Sequence, residues 1–112
     1  MQIQIEQQAH VTVISVVGSI DALTADVLTT ALSEQVRSGH TRLVAAFDQV
    51  DYTSSAGLRV LLATLKEARQ RGGDLRLASV QDRVRSVLEL SGFTSILKVY
   101  PDVATAVESY PA

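Results

Sequence analysis

Cysteine is absent from this 112-residue chain. No disulfide and no thiolate metal site can form, and the composition fits a reducing cytosol. Histidine is scarce: His10 and His40 stand alone, and no His, Asp or Glu spacing resembles a metal-ligand set. No phosphate-binding glycine loop and no nucleophile elbow is present. These absences argue against an enzyme and give no reason to expect a metal or any other cofactor.

An excess of basic charge is missing too. Lys and Arg number 10 against 12 Asp and Glu, for a formal charge of -2. The arginines Arg69, Arg71, Arg76, Arg83 and Arg85 are scattered, whereas phosphate backbones require a concentrated basic face. Nucleic acid is therefore not expected as a direct partner. The opening "MQIQIEQQ" lacks the basic and then apolar pattern of a signal peptide, and no apolar run approaches a membrane span. A cytoplasmic protein without membrane insertion is the expectation.

What is present is a core former, 46% hydrophobic, with no linker, repeat or low-complexity segment. One domain over residues 1–112 is expected. "QIQIEQ" alternates, with Ile3 and Ile5 on one face of a half-buried edge strand. "HVTVISVVG" is β-branched on both faces, as in a more buried strand, and a turn at Gln7 to Ala9 makes the two a hairpin. Leu23, Val27, Leu28, Ala31, Leu32 and Val36 then recur at helical spacing, with Asp21 or Thr24 as cap and Gly39 as terminator.

"RLVAAF" is long enough for a buried strand and too short for a helix. Leu58, Leu61, Leu62, Leu65 and Ala68 form a second amphipathic helix. "DLRLASV" predicts a strand with Leu75 and Leu77 inward. Val84, Val87 and Leu88 predict a shorter helix that stops at Gly92. "SILKVY" predicts a last strand, and Asp102 caps a closing helix. This alternation requires crossover units: an α/β fold with a mixed, mostly parallel sheet of about five strands and about four helices, packed mainly on one face.

"DYTSSAGLRVLL" at 51–62 places Thr53, Ser54 and Ser55 between a strand and a helix. Ser54 or Ser55 suffices as the helix cap, and capping needs only one hydroxyl. The loop lies at the C-terminal end of a strand, the usual edge for function in open α/β sheets. A helix start also tolerates an attached phosphate. Gly57 is expected to let a partner's backbone or a nucleotide come close. Tyr52 is expected to pack inward, Leu58 to join the core and Arg59 to be solvated.

Four stretches taken together resemble the STAS domain of bacterial anti-sigma factor antagonists. They are "GSIDALTADVL" at 18–28, "VDYTSSAGLRVLL" at 50–62, "RGGDLRLASV" at 71–80 and "VLELSGFTSILKVYPDVATAV" at 87–107. The resemblance covers nearly the whole chain and implies a single-domain STAS-like fold. The family's switch serine stands two positions before the signature glycine, which here is Ser55.

The resemblance implies phosphorylation of Ser55 by an anti-sigma factor that is also a serine kinase, of the histidine-kinase-like ATPase type. A serine phosphatase is a further implied partner. The implied partner contact consists of Asp21, Thr53, Ser54, Ser55, Ala56, Gly57, Leu58 and Arg59. Ser54 replaces the family's acidic residue, and Ala56 replaces its second hydroxyl. Asp21 is expected to supply the negative charge instead. The alternative on the same fold is a scaffold, or a regulatory subunit of a transporter, that is never modified.

Overall fold

The pattern of β-branched residues and helix stripes resolves into ten elements in a computed structural model that describes residues 1–111. Two strands open the chain, β1 (Gln2–Gln8) and β2 (Val11–Val17). Then follow α1 (Ala25–Arg37), β3 (Arg42–Gln49), α2 (Ser55–Gln70), β4 (Asp74–Ala78) and α3 (Asp82–Leu90). A short 3-10 turn at Phe93–Ser95 leads to β5 (Lys98–Tyr100) and α4 (Val103–Glu108). The hairpin turns at Ala9 and His10, with Ala9 at φ 56°, so β1 runs one residue past the expected turn start.

The sheet order is β1-β2-β3-β4-β5, with β1 antiparallel and all other pairs parallel. Both faces of β2 are used, as its sequence requires. Ile14 and Val16 enter a large core beneath α1, α2 and α3, while Val11 and Val13 enter a smaller one with Ala106 and Tyr110. Three helices therefore cover one face and α4 covers the other. Leu28, Leu32 and Val36 of α1 and Leu61, Leu65 and Ala68 of α2 supply the large core's helical side. Burial of each leucine and valine among them contributes about 1.5–3 kcal/mol.

Four local readings are corrected. Leu23 is 87% exposed, because α1 begins only at Ala25. The buried stripe is Ala25, Leu28, Leu32 and Val36, which turns Val27 to the rim at 49% exposure. The strand in "DLRLASV" ends at Ala78, where Ser79 turns with φ 58°. The strand in "SILKVY" is confined to its last three residues, because Ser95 completes the 3-10 turn.

At the N-terminal end of the parallel strands lies a closed polar network. Asp74 accepts from Arg69 Nε at 2.9 Å and from Arg76 Nε at 3.0 Å. Arg76 donates to Ser109 Oγ at 2.7 Å, and its guanidinium lies 4.0 Å from the centre of the Tyr110 ring. The Tyr110 hydroxyl sits 2.7 Å from the carbonyl of Leu43 and 2.8 Å from that of Asp74. Burial, reinforced by the Asp74 carboxylate, pushes the Tyr110 phenol above its ordinary range. This network pins the chain after α4 to the sheet.

Candidate functional site at the opposite end of the sheet

Beyond β3 the chain crosses the C-terminal edge of the sheet before entering α2. This stretch is not a free loop. Ile20 and Thr53 form an isolated parallel bridge. Ile20 N donates to the Tyr52 carbonyl at 2.9 Å, and Ser54 N donates to the Ile20 carbonyl at 2.8 Å. Ser19 Oγ adds a bond to Asp51 at 2.9 Å. The segment after β2 and the segment after β3 are thus stitched together, one residue pair wide, as a continuation of the sheet.

The three hydroxyls then separate by backbone geometry. Thr53 lies inward at 4% exposure. Ser54 has the extended backbone of an N-cap, and its Oγ accepts from Gly57 N at 3.4 Å. Ser55 is the first helical residue and its side chain is exposed. The cap left open by the sequence is therefore Ser54. The first turn of α2 carries no acidic side chain, so no carboxylate there offsets the positive end of the helix.

Gly57 has an internal packing reason that the sequence did not show. It is buried, and a Cβ built there would overlap Thr53 Oγ1 and stand 2.7 Å from Ile20 Cγ2. The missing side chain makes room for the stitch between the two segments. Ala56 and Leu58 are half-buried and pack on the large core. Arg59 is exposed, as expected. It borders a shallow groove of about 410 Å³ between α1 and α2, with Ala22, Asp26 and Ala56 among its walls. Tyr52, expected inward, is 50% exposed, because alternation along the bridge sends Thr53 in and its neighbour out.

Asp21 follows Ile20 directly and so belongs to the same edge. Its carboxylate closes its own turn, accepting from Leu23 N at 2.9 Å and Thr24 N at 3.0 Å. The Thr24 N–H is the main reason its pKa lies below the ordinary aspartate value. Thr24 occupies the cap position of α1 without a capping bond; its hydroxyl accepts from Asp21 N and donates to the Ser19 carbonyl. Sequence reasoning missed Ile20 and the Ser19–Asp51 pair. The one available signal was a lone isoleucine just past the strand-ending Gly18. Among the described residues no group of three His, Asp or Glu side chains is placed to hold a metal ion. No helix there is long and apolar enough to cross a membrane.

The profile of the STAS domain matches residues 2–106. The chain belongs to the STAS domain family. This STAS domain is 43% identical, over 82 residues, to BtrV of Bordetella bronchiseptica, a protein named as an anti-sigma factor antagonist; the match spans 73% of this chain and 71% of that one. It is 27% identical over 110 residues to the anti-sigma F factor antagonist of Paenibacillus polymyxa, covering 96% of this chain and 94% of that one. A crystal structure of an anti-sigma factor antagonist from Mycobacterium paratuberculosis superposes with a TM-score of 0.88 at 27% identity, over 96% of this chain and 92% of that one.

Proposed function

We propose that this STAS domain is an anti-sigma factor antagonist switched at Ser55. In its unmodified form it docks its C-terminal sheet edge on an anti-sigma factor, which releases a sigma factor. The same partner is a serine kinase of the histidine-kinase-like ATPase type. It transfers the γ-phosphoryl of ATP to Ser55 Oγ; the hydroxyl proton leaves to a base of the kinase, and ADP is released. A serine phosphatase resets the switch by hydrolysing the ester.

The observation that carries this reading is the division of labour between Ser54 and Ser55. Ser54 holds the cap, so Ser55 stands exposed on the first turn with no structural duty. Phosphorylation adds about -1.5 to -2 charges, which the start of α2 accommodates. A partner surface that closes over the same point does not, since a desolvated and unpaired charge costs several kcal/mol. Phosphate therefore acts on the contact and leaves the fold intact. Asp21, Thr53, Ala56, Gly57, Leu58 and Arg59 divide accordingly: Arg59 and the exposed rim touch the partner, while Thr53 and Gly57 set the loop's shape from inside.

The test is incubation with the kinase encoded nearest to this chain's gene, with ATP, followed by mass-spectrometric mapping. Phosphate on Ser55, full binding by Ser55→Ala and loss of binding by Ser55→Asp are expected. Full-strength binding by Ser55→Asp would overturn the switch. The substitution of Ser54 for the family's acidic residue favours a second reading, an unmodified scaffold or transporter subunit. Recovery of a transporter ATPase instead of a kinase in a pull-down would establish that one.

A further inference from the structure

The two edges of the sheet are protected unequally. The β5 edge is three residues long and is followed at once by Pro101, and short edges and prolines discourage strand addition. The β1 edge is seven residues long, pairs with β2 at every position without a bulge, and contains no Lys, Arg or Pro. Its only charge is Glu6. Among the described residues no strand pairs with its outer side.

The α1 side of this edge is apolar and open. Ile3 and Ile5 lie opposite Val16 and Ile14 and so point toward α1, yet Ile5 is 43% exposed. They line a groove of about 550 Å³ with Val27, Thr30, Ala31 and Glu34. Gln2, Gln4 and Glu6 project from the other face.

We propose that β1 pairs antiparallel with β1 of a second copy of this chain, joining the two sheets into one. The occupant is chosen by self-complementarity. A twofold axis through Gln4 sets Ile3 against Ile5 on the α1 face, and Gln2 against Glu6 on the other. Apolar then meets apolar, amide meets carboxylate, and no like charges are opposed. A slip of one residue would set glutamines against isoleucines, and a slip of two, about Ile5, would set Ile3 against Gln7, so the axis through Gln4 is the favoured register. The axis also sends the two Glu34 side chains to opposite ends of the joined groove. In this register residues 2–6 of each strand pair, a strip about 17 Å long and one strand deep, well below the ~800 Å² per partner of a standard interface. The dimer is therefore expected to be weak. β1 is two strands from the end of β3, so both Ser55 sites stay open and the dimer is bivalent.

The absence of cysteine makes the test clean. Sedimentation of the full chain between about 5 and 500 µM is expected to show a monomer–dimer equilibrium. Gln4→Lys, which sets two lysines face to face on exposed positions, should shift it at least about tenfold toward monomer, with an unchanged thermal midpoint at concentrations where both chains are monomeric. Under mild oxidation Gln4→Cys should give a disulfide dimer, since residues facing each other across an antiparallel pair lie about 4.5–5.5 Å apart at Cα. Gln2→Cys should not, because its twin is displaced by about 13 Å along the strand. A monomer at every concentration, or equal cross-linking by both cysteine variants, would overturn the proposal.

Discussion

At one end of the parallel strands Asp74 sits buried between Arg69 and Arg76, with Tyr110 stacked on Arg76 and bonded to the backbone of two strands. At the other end Ser55 stands exposed on the first turn of α2. Both ends are rich in polar groups. The first turns Asp74, Arg76 and Tyr110 inward and satisfies them, with Arg69 closing the network from the surface, and among the described residues no buried side-chain polar atom lacks a partner. The second satisfies only what the backbone needs, through Ser54, Asp21 and the Ile20–Thr53 bridge, and leaves a hydroxyl over. Hence the closed end is expected to govern stability and the open end recognition, with little exchange between them.

Substitutions can break that separation, and they fall in order of size. Asp74→Ala leaves Arg76 buried without its carboxylate, and should cost about 3–5 kcal/mol in chemical denaturation. If the two ends are independent, folded Asp74→Ala protein keeps its affinity for the partner of the proposed function. Gly57→Ala forces a methyl into the space of Thr53 and Ile20, with an expected loss of about 1–3 kcal/mol. Unlike Asp74→Ala it should also weaken partner binding, because the stitch that shapes the loop must shift. Tyr110→Phe removes one hydroxyl from two carbonyls and should cost about 1–2 kcal/mol without touching recognition.

The serines sharpen the contrast within one loop. Ser54→Ala should cost about 0.5–1 kcal/mol as a lost cap, and Ser55→Ala less than about 0.5 kcal/mol, by thermal or urea unfolding. The reverse order would reassign the cap. The smallest effect is on acid stability. The pKa of Asp21 is depressed in the folded chain, chiefly by the Thr24 N–H, so its contribution is complete above the unfolded value near ~4 and disappears as pH falls through the lower, folded value. Asp21→Asn should flatten that part of a plot of thermal midpoint against pH.

Element order was legible in the sequence because periodicity and punctuation agree: alternation in "QIQIEQ", an unbroken run in "RLVAAF", stripes in the helices, and Gly39 and Gly92 at positive φ where the helices end. The face that α4 covers was not legible, since Ala106 is its one buried residue and a single alanine shows no periodicity. Leu23 misled because it fits a helical stripe by spacing while preceding the helix. At the candidate site the place was legible and the reasons were not. Either serine could cap, and only the extended backbone at Ser54 decides between them. The need for glycine at 57 arises from Ile20, a residue 37 positions earlier that meets it only after β2 and β3 have paired.

That meeting also sets limits on how such a domain can change allegiance. Because the interior corner of the loop is already full, drift at Thr53 or Gly57 damages the scaffold before it alters any preference. Under the proposed function, novel specificity would accumulate on the outward neighbours Tyr52, Ser55 and Arg59, whose exchange leaves the architecture indifferent.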